Sequence, residues 1–308
     1  MRTATTTPKR RARCAEPALS AERREEIAAL AAAVSDTYCP SGAVDPLRVA
    51  AAKGISVSFG DYGEAFDGML EWKAGRFHIF CNLARLRRAD SPRSRFTLAH
   101  ELGHYYLDEH RGALASGRVP PHLSRCDFES SLRAEQEADH FAANLLLPEA
   151  RFRRAAHGLG PGFGCVLKLV ALFDTSLTAT AVRYASLNLA PCAVIKWHWR
   201  GNQWQCFSSS MFRRLFRRSL SQPASLLPES ATSQALAQQS PPACGYFRSG
   251  TLASVWFPRV RRGDPLDVVL TEEAVPLGGY GALTMLCPQP GCSVFGGARR
   301  DRRSVASG

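Results

Sequence analysis

The chain has 308 residues, 45% of them hydrophobic, and a formal net charge of +12. That length allows one large or two modest domains, and the apolar content is enough for a real core. No membrane span is expected, since no apolar run reaches about 18 residues; the run at 27–34 is too short for a leader peptide and is flanked by Glu25 and Glu26, so it reads as an amphipathic helix, and the cytoplasm is the expected compartment.

In chain order, residues 1–19 carry Thr, Pro and Arg without an apolar period and are expected to be a disordered basic N-terminus. Ser20 can cap a helix over 20–35, with Ile27, Leu30, Ala31 and Val34 on one face. A short helix is predicted over 44–53, closed by Gly54. Residues 55–59 alternate as a strand. Residues 68–72 and 75–82 read as a hairpin turning at Lys73, Ala74 and Gly75. A helix over 91–107 follows. A looser segment runs to about Ser130, then comes a strong helix over 132–147, stopped by Pro148. Helices over 166–173 and 177–184, joined by Asp174-Thr175-Ser176, have helix-turn-helix spacing. From Cys192 the texture turns to strands. Residues 194–199 and 203–207 form a predicted hairpin, 219–245 a linker, and 254–260, 266–270 and 282–286 further strands. The tail over 298–308 is expected to be disordered and basic.

The segment Arg95-Phe96-Thr97-Leu98-Ala99-His100-Glu101-Leu102-Gly103-His104 carries the chemistry. Its His-Glu-x-x-His pattern is expected by chance roughly 0.01 times in a chain of this composition. Four residues apart on a helix, His100 and His104 share one face and can hold one Zn²⁺. Glu101 stands where it can act as base toward a water. The neighbouring side chains are too apolar for a solvated face, and a buried pair of histidines needs a reason.

A hydrolytic zinc site has three protein ligands and one open position. The 132–147 helix offers Glu135, Glu137, Asp139 and His140. Glu135 and Asp139 share a face with Ala138, Ala142 and Leu146, which favours Glu135 as third ligand and Asp139 as acceptor for a ligand imidazole N–H. Glu137 lies about 200° round the helix from Glu135 and remains the alternative. Tyr105, Tyr106, His110 and His140 are near in sequence, and none is singled out as an oxyanion donor; His110 reads as a surface residue.

Ten scattered cysteines suit reduced, buried thiols, with Cys287 and Cys292 the only close pair and a candidate redox or metal pair. Of 39 basic residues only five are Lys, the Arg bias of a GC-rich genome. They cluster at 9–13, at Arg213, Arg214, Arg217 and Arg218, at Arg259, Arg261 and Arg262, and at 299–303. Such clusters suit nucleic acid, an acidic partner or simple solubility.

Two stretches together, 95–105 and Glu135-Gln136-Glu137-Ala138-Asp139-His140-Phe141-Ala142-Ala143-Asn144-Leu145-Leu146-Leu147-Pro148, resemble the ImmA/IrrE family of metallopeptidases. The hairpin at 68–82 and the helices at 169–184 extend the likeness over about 24–186. The resemblance implies an α+β fold: a zincin-like peptidase core with a small antiparallel sheet over 20–157, then a helix-turn-helix-like segment over 158–190. Residues 191–297 form a β-containing region of unknown role. It implies His100 and His104 as metal ligands, Glu101 as the catalytic glutamate and an acidic ligand within 135–137. It also implies one Zn²⁺ and, as substrate, a transcriptional repressor of the helix-turn-helix kind. The 68–82 hairpin is placed to offer an edge strand to an extended substrate. The rival reading is a DNA-binding or regulatory protein that keeps the peptidase fold as scaffold. It is disfavoured, since Lys168 and Arg183 are the only basic residues of the two helices and a recognition helix carries more. A third reading, the protease half of a paired regulatory or toxin–antitoxin system, has the same chemistry.

Overall fold

The computed structural model describes residues 19–124, 132–198, 204–216, 220, 223, 226–238, 240–257 and 268–289. The chain divides into two compact units, Met1–Pro148 and Glu149–Gly308. The first holds α1 (Ala21–Tyr38), α2 (Pro46–Ala52), β1 (Ser56–Gly60), β2 (Gly68–Lys73), β3 (Arg76–Asn82), α3 (Leu83–Leu86), α4 (Pro92–Tyr106), α5 (Asp108–Ala115), β4 (His122–Ser124) and α6 (Arg133–Leu146).

Local chemistry sets these boundaries. The Ser20 hydroxyl accepts from Arg23 N–H at 3.1 Å and starts α1. Ser91 does the same for Ser94 N–H at the head of α4, where Pro92 takes the first turn and loses no needed donor. Between β2 and β3, Ala74 (φ 50°) and Gly75 (φ 76°) are both left-handed, as a two-residue hairpin turn demands.

The four-stranded sheet has order β1-β3-β2-β4. One pair is parallel, β1 with β3, and the other two are antiparallel. The hairpin is an edge over only part of its length: β3 pairs with β1, and β2 pairs with β4 through Gly68–Ser124, Met69–Leu123 and Leu70–His122. Three residues from the loop beyond α5 thus cover the first half of β2, and the strand pairing on that side stops before Glu71. Leu70, Ile79 and Cys81 project from one face of the sheet into a core shared with Leu98 and Leu102 of α4, Phe141 and Leu145 of α6, and Ile27 and Ala31 of α1.

The second unit holds α7 (Glu149–Ala156), α8 (Phe163–Phe173), α9 (Leu177–Ser186), β5 (Ala193–Trp197), β6 (Trp204–Ser208), α10 (Ser210–Phe216), α11 (Ala231–Ala237), β7 (Phe247–Leu252), α12 (Ala253–Trp256), β8 (Val269–Pro276), a 3₁₀ turn at Gly278–Tyr280 and β9 (Ala282–Pro288). Its sheet is antiparallel throughout, in the order β6-β5-β9-β8-β7. Helices α8 and α9 meet at 114°, within helix-turn-helix geometry. However, α9 packs on β5 and β6, and burial lowers the Arg183 guanidinium to about 10. One face of α9, with Thr180, Ala181, Tyr184 and Ala185, is thus buried.

Two sequence expectations are corrected in this unit. The linker expected over 219–245 contains α11, because Ser230 caps it at Ser233 N–H and the Glu272 carboxylate accepts from Thr232 N–H at 2.8 Å. The strand expected at 254 onward is α12 instead: β7 ends at Leu252, and the chain coils to bury Trp256, whose Nε1–H donates to Thr251 Oγ1 at 3.2 Å. The expected tail over 298–308, residues 1–18 of the N-terminus, Cys292 and the Arg clusters at 9–13, 217–218, 259–262 and 299–303 lie outside the described residues. Among the described residues no single helix is long and apolar enough to cross a membrane.

Candidate metal centre

Helices α4 and α6 build the centre. A β-carbon added to Gly103 would sit 3.0 Å from Ala138 Cα and 3.1 Å from Ala138 O. The missing side chain thus lets the two backbones touch, one residue before His104 and three after Glu135. His100, Glu101 and His104 are all buried, with Glu101 wholly so.

The approach brings together three of the residues expected from sequence. His100 Nε2 and His104 Nε2 are 3.1 Å apart. Glu135 Oε2 lies 3.5 Å from the first and Oε1 3.2 Å from the second. One ligand atom from each of His100, His104 and Glu135 falls within 4.8 Å of the others, in the one such group found among the described residues. Burial alone would lower the His100 pKa, but hydrogen bonds to Asp139 and Glu135 and the fields of Glu101 and Asp139 outweigh it and raise it to about 10. Three ligand atoms this close are the arrangement a cation would bridge.

Asp139 sits behind the cluster, its Oδ1 2.8 Å from His100 Nδ1. Glu137, the alternative ligand, faces elsewhere. Its carboxylate accepts two hydrogen bonds from Arg23, each 3.0 Å, and one from Arg133 at 3.0 Å. Burial pushes the Glu137 pKa up, yet those guanidiniums hold it below the ordinary carboxylate range.

Glu101 turns toward the sheet. A β-carbon on Gly68 would fall 2.6 Å from Glu101 Oε1 and 2.6 Å from Thr97 Cγ2, so the glycine opening β2 makes room for this carboxylate. Across the ladder from Gly68 lies Cys81, whose thiol is pushed up to about 12 by burial and then by the Glu101 charge.

Of the other neighbours, His140 hydrogen-bonds the Arg24 carbonyl at 3.0 Å, away from the cluster. Tyr105 packs edge-on against Phe77, and Tyr106 stacks on Phe141. His110 is not the surface residue that Asp108 and Glu109 suggest. Its side chain is 12% exposed and its Nδ1 lies 3.1 Å from His104 Nδ1. No spacing rule could have found it, because the turn at Leu107 between α4 and α5 sets its direction.

Two comparisons with known proteins give a match. Residues 83–183 match the model of the IrrE N-terminal-like domain, Peptidase_M78. A solved Mycobacterium tuberculosis transcriptional regulator superposes with a TM-score of 0.50 at 17% identity, over 87% of this chain and 81% of that one; at that identity the likeness is one of fold. No curated protein matches in sequence. Over residues 83–183, about a third of its length, the chain is thus similar to the IrrE N-terminal-like domain, whose family model is of peptidase type.

Proposed function

We propose that the chain is a zinc-dependent endopeptidase that cleaves one specific protein, a helix-turn-helix transcriptional repressor. The observation that carries this reading is the convergence of His100, His104 and Glu135 within 4.8 Å. Two imidazoles and one carboxylate are a donor set that suits zinc at a hydrolytic site, whereas calcium and magnesium favour oxygen-only sets. A zinc ion there would supply Lewis acidity toward the scissile carbonyl and toward a water.

The chain's own residues do the proton work. Glu101 accepts the proton of the attacking water on a carboxylate oxygen, then returns it to the departing amine nitrogen. Asp139 accepts the Nδ1–H of His100 and so leaves its Nε2 lone pair toward the metal position. An extended substrate would join the sheet at β4, either along its outer edge or in its place, since β4 occupies the side of β2 that begins at Gly68. The repressor as substrate follows from the family resemblance. The compartment we propose is the cytoplasm, which suits the free cysteines of the described residues.

The decisive experiment mixes the zinc-loaded protein with the nearest encoded helix-turn-helix repressor and looks for one cut. Glu101→Gln should still bind zinc and should cut at least about 100-fold more slowly. A variant that cuts as fast as the parent would sink the mechanism, and a parent that leaves the repressor whole would sink the substrate.

A further inference from the structure

We propose that His110 is a positioning residue: it takes the Nδ1 hydrogen of His104 and hands the polarisation on to Glu137, forming an imidazole–carboxylate relay that aims His104 at the metal. This inference rests on the metal site proposed above. The geometry leaves little choice of direction. His100 Nε2 and His104 Nε2 face each other and the two oxygens of Glu135, so Nε2 is the coordinating nitrogen of each ring. A neutral coordinating imidazole then carries its hydrogen on Nδ1.

For His100 that hydrogen goes straight to a carboxylate, Asp139, at 2.8 Å. For His104 the atom facing Nδ1 is His110 Nδ1 at 3.1 Å, another nitrogen, which can accept only as a bare lone pair. His110 must then carry its own hydrogen on Nε2, and 3.1 Å from that atom is Glu137 Oε2. Glu137 is kept ionised by Arg23, which binds it at both oxygens, and by Arg133. The relay thus runs from α4 through α5 to α6, and Arg23 anchors it on α1. The two metal histidines are supported differently, one by a carboxylate directly and one through a second ring. In this arrangement Glu137 closes the relay and leaves coordination to Glu135.

The test uses the full chain and zinc alone. Long-range ¹H–¹⁵N spectra of the zinc-loaded parent protein should show His110 protonated on Nε2 and bare on Nδ1. Competition against a coloured chelator should show His110→Ala binding zinc roughly 10- to 100-fold more weakly than the parent, the usual cost of losing such a support. With Co²⁺ in place of zinc, the visible bands of His110→Ala should shift and return toward the parent's when free imidazole is added. A His110 ring protonated on Nδ1 would overturn the relay even if the variant failed to fold. Zinc affinities within twofold of each other would overturn it too. A parent protein that binds no zinc would instead bring down the metal site on which the relay depends.

Discussion

Asp67 carries more of this fold than its lone position in a loop suggests. It is fully buried, and its Oδ1 accepts from Arg85 Nε at 2.6 Å while Oδ2 accepts from Arg93 Nη2 at 2.9 Å. Its backbone accepts from Asn82 N–H and donates to the Ser124 carbonyl. One residue thus ties the heads of α3 and α4 to β2, β3 and β4. Burial pushes its carboxyl up, but the two guanidiniums win and hold it below the ordinary value. With a folded-state pKa depressed in this way, its contribution is fully present above about pH 4 and is lost as pH falls through the folded value. Asp67→Asn should cost about 3 kcal/mol at neutral pH, the scale of breaking a buried ion pair. It should also flatten the acid limb of stability. Urea melts of both proteins from neutral to acid pH check this, and parallel acid limbs would refute it.

At the scale of elements, the contact between α4 and α6 decides whether a metal site exists. Gly103 meets Ala138 backbone to backbone, and backbone cannot step aside as a flexible side chain does. Gly103→Ala would gain about 0.5–1 kcal/mol of helix propensity. It would lose about 1–3 kcal/mol to overpacking and widen the gap between Glu135 and the two histidines. The expected outcome is a modest fall in stability and a larger fall in zinc affinity, read by denaturation and by chelator competition. Parental zinc affinity in the variant would show that the close approach is not what assembles the ligands. The same contact explains what sequence periodicity could and could not read. The helical spacing of His100 and His104 was legible because both lie on one element, and so was the stop of α6 before Pro148. β8 runs on to Pro276, past the predicted end at Leu270. Glu272 and Glu273 are buried within it, one accepting from Thr232 N–H of α11 and the other from Phe163 N–H of α8. Their partners lie about 40 and 110 residues away in the chain, beyond any local pattern.

At the scale of the whole molecule, the candidate ligands found among the described residues, His100, His104 and Glu135, all belong to the unit Met1–Pro148. Zinc should therefore act on stability locally. At 100 times its Kd, a ligand of the folded form adds about 2.7 kcal/mol, which slows amide exchange about 100-fold wherever exchange needs the site to open. Hydrogen exchange with and without zinc should show that slowing in α4 and α6, and little change in β8 and β9. Equal protection of both units, or none in α4, would contradict a metal confined to this centre.

Local rules account for much of this protein: the capped helices, the hairpin with its two left-handed residues, and the placing of His100, Glu101 and His104 on one buried helix. These depend on spacings of one to four residues, which a chain writes directly. The approach of α6 to α4, the packing of His110 against His104, and the pairing of β4 with the start of β2 are different in kind. Each depends on how one element is rotated or laid against another distant in sequence. That rotation is chosen by packing, such as the fit of Gly103 on Ala138, and by the pairing of buried charges such as Glu137 with Arg23. Glu135 and Glu137 differ by two positions in sequence; helical spacing favoured Glu135, and the docking of the helix is what turns Glu135 to the two histidines and Glu137 to Arg23.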